Sequence, residues 1–138
     1  MRASTYLLAG LLATPAWWAS AALASVDQPG AAQTARQQRC GWFDNPSPQN
    51  ATLIDRDGTW SISVQGGEAA KGKWPRFSDK QWVKTGAGSY GYGCTCLSVQ
   101  VDAQALQIKQ IHAANVKPVS VCRSDKAIKN NEPFNPLK

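Results

Sequence analysis

The sequence predicts a small, mostly β domain with minor helix: a disulfide-stapled antiparallel sandwich or open barrel of two hairpins plus a short strand. Three observations predict this class. Residues 90–101 alternate as a long strand, with tyrosines and cysteines on one face and small or apolar residues on the other. Asp57-Gly58 separates two extended runs, as in a hairpin. Four cysteines in a chain with an export-type leader indicate two disulfides.

Residues 1–24 have the layout of a secretory signal peptide: Arg2, an apolar run over residues 6–18, and a small-residue end at Ala24. The apolar run is shorter than the roughly 20 residues that a membrane-spanning helix needs, and Pro15 interrupts it. We therefore expect cleavage after Ala24 and a periplasmic or secreted mature protein without a membrane span.

Three regions are expected after the signal peptide. Residues 25–38 hold no aromatic residue and one branched aliphatic residue, which indicates a flexible leader. Residues 39–125 form a single β-rich domain, and residues 126–138 form a polar C-terminal tail. The formal net charge of +6 is ordinary for a soluble protein, and the aromatic residues are not interleaved with a basic stripe. Nucleic acid is therefore not an expected partner, and we expect a monomer.

The first half of the domain contains a predicted hairpin. Residues 39–48 are expected to lay the N-terminus across the body of the domain. Residues 51–55 and 59–65 then pair, with Trp60, Ile62 and Val64 facing the core. A surface loop follows at residues 68–73.

The second half is organised around the long strand at residues 90–101. A short helical turn at residues 79–82, capped by Ser78, precedes it. Residues 105–112 return as the partner strand, and the pattern of apolar residues slips at Ile111, as a bulge would require. Residues 119–122 are predicted to form the short final strand.

The cysteines restrict the disulfide pattern to two possibilities. Cys94 and Cys96 lie on one strand face, about 6.5 Å apart along an extended chain, which is too far for them to pair. Either Cys40 pairs with Cys94 and Cys96 with Cys122, or Cys40 pairs with Cys96 and Cys94 with Cys122. The alternative is a metal-handling or redox protein that uses the Cys-x-Cys strand, but this spacing is not that of a zinc knuckle. We expect no metal and no other cofactor.

Large aromatic residues are numerous for a domain of this size. Rings on a partly exposed surface would suit stacking on sugars or anchoring a protein partner. The candidate ligand-binding residues are Trp42, Trp74, Trp82, Tyr90 and Tyr92. The alternative is that these rings fill a core that is short of leucine and isoleucine.

These features predict an exported, non-enzymatic binding module for a protein partner or a cell-envelope glycan, of the inhibitor or immunity-protein type. A weaker alternative is an envelope hydrolase that uses Asp55, Asp57 or His112. The aspartates are better explained by the turn that contains them, and no nucleophile motif accompanies the single histidine. No catalytic residue is therefore assigned.

Three motifs carry a family resemblance: Arg39-Cys40-Gly41-Trp42-Phe43-Asp44-Asn45-Pro46, then Asp55-Arg56-Asp57-Gly58 with Trp60, and the stretch from Tyr90 to Leu97. With these motifs the chain resembles an uncharacterised family of small exported bacterial proteins, a domain of unknown function. The resemblance spans residues 39–125. It implies no activity and assigns no catalytic residue.

Overall fold

The computed structural model of the protein describes residues 35–137. The predicted signal peptide and residues 25–34 of the predicted flexible leader lie outside the described residues. The described strands are β1 (Gln37–Asn45), β2 (Thr52–Asp55), β3 (Gly58–Ser61), β4 (Lys71–Gly72), β5 (Trp82–Lys84), β6 (Gly91–Asp102) and β7 (Gln107–Lys117). After them come a helix α1 (Val119–Ser124) and a 3-10 helix (Lys129–Asn131).

The sheet is built on β6. One edge of β6 pairs with β1, and the other edge pairs first with β5 and then with β7. β1 continues to β2 and β3, and β3 meets β7 through the parallel pair Ser61 and Gln107. The strands therefore form a ring that this one short contact closes, rather than a regular barrel. The predicted mostly β, disulfide-stapled class is confirmed.

Each face of β6 has its own apolar core, because alternate side chains point to opposite sides of a strand. The inner core lies within the ring of strands; its members include Phe43, Leu53, Trp60, Ile62, Leu97, Val99, Val101, Ile108 and Ile111. The outer core consists of Trp42, Tyr92, Cys94, Cys122 and Ile128, beneath α1 and the segment after it. The long strand is thus buried on both faces, as the sequence predicts.

Both predicted hairpins are present. β2 and β3 pair antiparallel around the turn, and Gly58 has a φ of 136°, a value that suits glycine. β6 and β7 pair over most of their length, with register shifts between Ser98 and Val99 and between Gln100 and Val101. The irregularity that the sequence indicates near Ile111 is therefore real.

Two predicted elements have the wrong type. Residues 119–122, predicted to be a strand, begin α1, because Pro118 starts a helical turn in which the Val121 N–H donates to its carbonyl. Residues 79–81 form a turn rather than a helix, and Trp82 begins β5.

Several boundaries also differ from the prediction. β1 is an interior strand between β2 and β6, and it begins at Gln37, inside the predicted flexible leader. Val64 is 51% exposed because β3 ends at Ser61. Ile128, in the predicted polar tail, is buried in the outer core.

The two disulfides follow the second of the two predicted patterns. Cys40 pairs with Cys96, its direct cross-strand neighbour, and Cys94 pairs with Cys122. The first bond joins β1 to β6. The second ties α1 over the outer face of β6, where it covers the outer core.

Candidate functional site

An aromatic pocket lies where the end of β1 approaches β5. Its volume is about 420 Å³. Its lining residues come from three parts of the chain that the sheet brings together: Phe43, Asn45, Trp74, Pro75, Phe77, Asp79, Trp82, Lys84, Gly88 and Ser89. We call this cavity the aromatic pocket.

Four rings form its walls. Phe43 is buried and lies 5.6 Å from Phe77 and 6.2 Å from Trp74 and Trp82, measured between ring centroids. Phe77 and Trp82 are tilted by 41° with centroids 4.8 Å apart. These separations are those of favourable aromatic pairs, so the rings hold one another in place. Trp74, Phe77 and Trp82 remain half-buried, which leaves part of each ring open to the pocket.

The glycines of β6 make room for two of these rings. A Cβ on Gly93 would lie 2.4 Å from Phe77 Cε1, and one on Gly91 would lie 2.7 Å from Trp82 Nε1. Any larger residue would therefore push the rings away from the strand. The alternation of tyrosine and glycine at the start of β6 thus has a structural reason: the glycine face supports the aromatic pocket.

Polar groups lie at the rim. The side-chain amide of Asn45 forms no hydrogen bond with any residue among 35–137, so it is available to a ligand. The indole nitrogen of Trp82 lies against Gly91 of β6 instead. The indole N–H of Trp74 is not available, since it donates to the Ala70 carbonyl at 2.8 Å. Burial raises the pKa of the neighbouring Asp44, although the backbone N–H of Asn45 opposes the shift by hydrogen bonding to its carboxylate.

Only part of the predicted ligand surface is found here. Trp74 and Trp82 line the pocket, while Tyr90 is half-buried and is not among its lining residues. Trp42 and Tyr92 are fully buried in the outer core, edge to face at 5.6 Å, so the prediction that they contact a ligand has to be corrected.

The burial of Trp42 and Tyr92 has a clear cause. Trp42 donates its indole N–H to the Ile128 carbonyl at 2.9 Å, and Tyr92 donates its hydroxyl to Glu132 at 2.6 Å. Glu132 is also bound by Arg123, and this hydrogen bond raises the pKa of the arginine. The C-terminal segment thereby covers both rings.

Phe43 and Phe77 belong to the site although the sequence-based candidates omit them. Phe43 follows Trp42 directly, so the two side chains point to opposite faces of β1. This alternation is the sequence signal that places Trp42 in the outer core and Phe43 on the side of the pocket. Phe77 follows Trp74-Pro75, and its position against Gly93 depends on contacts that the sequence pattern does not reveal.

The candidate hydrolase residues are engaged elsewhere. Asp55 is buried, accepts hydrogen bonds from the Trp60 indole N–H at 3.0 Å and from the Asp57 backbone N–H at 2.8 Å, and binds Arg39 at 2.7 Å. Arg39 also binds Asp57 and stacks on Trp60, 3.7 Å from the ring centroid. Burial opposes the charge of Arg39, but the hydrogen bonds to the two aspartates outweigh it and raise its pKa.

His112 lies on β7, away from this cluster in the sequence, and its Nε2 atom is buried without a hydrogen-bond partner among the described residues. Within residues 35–137 no group of three or more histidine, cysteine, aspartate or glutamate side chains is arranged to hold a metal. All four cysteines are in disulfides, so none offers a thiolate in this state.

The comparison with protein families decides the identity of the domain. The family model described as a protein of unknown function, DUF4087, matches residues 34–129. The chain belongs to the DUF4087 family. The match covers the complete ring of strands, both disulfides and the aromatic pocket. No curated protein and no solved structure matches the chain.

Proposed function

We propose that this DUF4087 protein is an exported, non-enzymatic binding module whose aromatic pocket holds a sugar segment of a cell-envelope glycan. The observation that carries the proposal is the set of four rings around a cavity of about 420 Å³. Ligand pockets typically range from roughly 300 to 1,000 Å³ and combine apolar walls with a few polar groups. The size and the lining of this pocket both fit that description.

The chemistry of a sugar matches the lining. A pyranose ring presents C–H groups on its faces, which stack on aromatic rings, and hydroxyl groups at its edge. Trp82 and Trp74 supply the stacking surface, and the amide of Asn45 supplies a donor and an acceptor for hydroxyl groups.

A non-enzymatic role is supported by the state of the candidate catalytic groups. Asp55 and Asp57 are both bound to Arg39, and neither lines the aromatic pocket. Cys94 and Cys96 are in separate disulfides, which does not favour the metal or redox alternative.

The proposal includes a periplasmic or secreted location. Two disulfides are compatible with an oxidising compartment outside the cytoplasm. None of the helices in residues 35–137 has the length and apolar character needed to cross a membrane.

Binding of soluble oligosaccharides tests the proposal. The disulfide-bonded protein is titrated calorimetrically with neutral and acidic oligosaccharides of two to four sugar units, and we expect saturable binding. Trp82→Ala should weaken it at least tenfold, because it removes one of the two indole stacking surfaces. Phe134→Ala is the matched control, since Phe134 is 86% exposed and lies outside the pocket.

Because Trp82→Ala could also impair folding, a second variant tests the pocket while keeping every packed side chain. Ser89→Trp adds a ring at the exposed rim and should block the pocket without removing a packed side chain. Gln104→Trp adds the same ring at a distant exposed turn and should leave binding unchanged. Failure of every oligosaccharide to bind the intact protein overturns the proposal. Capture of an envelope protein by the same pocket would then favour the inhibitor or immunity-protein alternative.

A further inference from the structure

A second groove adjoins the aromatic pocket across Trp74. It has a volume of about 430 Å³ and is lined by Lys73, Trp74, Arg76 and residues 113–116 of β7. Trp74 lines both cavities. We call this second cavity the cationic groove.

The groove exists because the chain leaves the sheet at this point. β4 pairs with β7 only through Lys71 and Gly72, and the Lys73 N–H then donates to the Ile111 carbonyl at 2.8 Å. Pro75, which has no N–H to donate, follows shortly afterwards. No described strand pairs with residues 113–116 on the side away from β6, so an open channel remains between them and the departing chain.

The charge of the groove is uncompensated. Lys73 and Arg76 are both exposed, and neither forms an ion pair with a residue among 35–137. The lining contains no carboxylate. Two cations beside an unpaired strand edge therefore create a positive potential at the surface.

Another cavity of the same molecule provides the contrast. A cavity of about 500 Å³ on the opposite stretch of β7 is also lined by lysines, but there Lys109 binds Glu68 at 2.6 Å. Glu68 offsets the charge of Lys109 there, and the hydrogen bond lowers the pKa of Glu68. The cationic groove has no such internal partner.

Trp74 is a fixed boundary between the two cavities. Its indole N–H is held by the Ala70 carbonyl, and its ring meets Phe43 at an interplanar angle of 79°. Lys73 and Arg76 therefore lie on the opposite side of the Trp74 indole from a ligand that stacks in the aromatic pocket. A linear chain can place one sugar in the pocket and an acidic group of the next unit in the groove.

We propose that the ligand of this site is an acidic glycan, whose carboxylate or phosphate groups bind Lys73 and Arg76 while a neighbouring sugar occupies the aromatic pocket. This inference rests on the proposed function and specifies its ligand class. Arg76 can bind an oxyanion through two parallel N–H groups, and Lys73 adds a point charge. The acidic group thus selects the ligand, and the aromatic rings hold it.

The test compares two probes of equal length: fully N-acetylated chitotriose, which is neutral and is called chitotriose below, and a trimer of mannuronate, which carries a carboxylate on every unit. We expect the acidic trimer to bind the intact protein at least tenfold more tightly at 50 mM salt. This advantage should decline at 300 mM salt, because salt screens exposed charges.

Charge variants assign the effect to the groove. The double variant Lys73→Gln/Arg76→Gln should lose about tenfold in affinity for the acidic trimer and nothing for chitotriose. Lys126→Gln/Lys129→Gln, which removes the same charge from the exposed C-terminal segment, should change neither. Equal loss in both double variants would make the effect one of net charge and overturn the assignment.

The two proposals fail in different ways. If chitotriose binds as tightly as the acidic trimer, the acidic ligand is excluded while the glycan-binding function stands. If neither trimer nor any other oligosaccharide binds, both proposals are overturned. A phosphate-substituted oligosaccharide that binds where the uronate trimer does not would identify phosphate as the acidic group.

Discussion

Asp55 shows how one buried carboxylate can organise a turn. Both of its oxygens are occupied, one by two N–H donors and the other by Arg39. The guanidinium is in turn held flat against Trp60. The motif that suggested paired catalytic carboxylates therefore fixes the β2–β3 hairpin onto β1.

The two aspartates of the turn should differ sharply in their contribution to stability. Asp55→Asn should lower the free energy of unfolding by about 3 kcal/mol, because it leaves a largely buried arginine without its closest anion. Asp57→Asn should cost less than about 1 kcal/mol, since Asp57 is 57% exposed and its ion pair is screened by water. Denaturant titration of both variants measures the difference. Similar losses would show that the cluster acts as a surface network.

At the scale of elements, the glycine face of β6 determines the geometry of the aromatic pocket. Gly93→Ala should lower the free energy of unfolding by about 1 to 3 kcal/mol, because the new methyl group overlaps the Phe77 ring and the Gln81 carbonyl. It should also weaken ligand binding by displacing Phe77. Calorimetric titration and thermal unfolding measure the two effects.

Gly86→Ala is the control for this substitution. A Cβ at Gly86 meets nothing within 4 Å. The free energy of unfolding of Gly86→Ala should therefore change by no more than about 0.5 kcal/mol, and the ligand affinity of this variant should stay the same. If Gly93→Ala behaves like Gly86→Ala, Phe77 is free to move and the pocket is not preformed.

The sequence predicts elements well where their signals are local. The Asp57-Gly58 hairpin and the two-faced alternation of β6 depend on neighbouring residues, and both are confirmed. The sequence does not predict α1, because Val119 and Val121 favour strands on their own. The tie between Cys122 and Cys94 holds this segment over the outer core instead.

The candidate site is predicted only in part, because its geometry depends on contacts that are not local in the sequence. Trp42 and Tyr92 are covered by a segment whose composition is polar, and Ile128 supplies its buried apolar contact. Phe77 enters the site only because glycines on β6 leave space for it. Both facts depend on contacts between distant parts of the chain, which one sequence does not reveal.

At the scale of the whole molecule, the two disulfides have different tasks. The Cys40–Cys96 bond joins strands that are already paired, whereas the Cys94–Cys122 bond holds α1 against the sheet. Their sequence separations of 56 and 28 predict contributions of roughly 4 and 3.5 kcal/mol through loop entropy alone. By loop length alone, the Cys40–Cys96 bond should therefore contribute slightly more to the free energy of unfolding than the Cys94–Cys122 bond.

Their effects on local structure should differ more than their effects on stability. Cys94→Ala/Cys122→Ala should increase amide hydrogen exchange across residues 119–131, because this segment loses its covalent tie to β6. Cys40→Ala/Cys96→Ala should leave exchange there unchanged, since the outer core keeps its cover. Hydrogen exchange measured by mass spectrometry on both variants separates the two roles. Uniform protection of residues 119–131 in both would show that the packing of Ile128 alone secures the segment.

The pairing of β1 with β6 also has a consequence for how quickly the protein reaches its fold. Cys40 meets a partner 56 residues further along the chain, and the ring cannot close until β7 is present. Distant pairings of this kind make folding slow, because chain entropy is lost before the contacts form. The ring therefore cannot close on a newly made chain until β7 has emerged, after all the other described strands have been made.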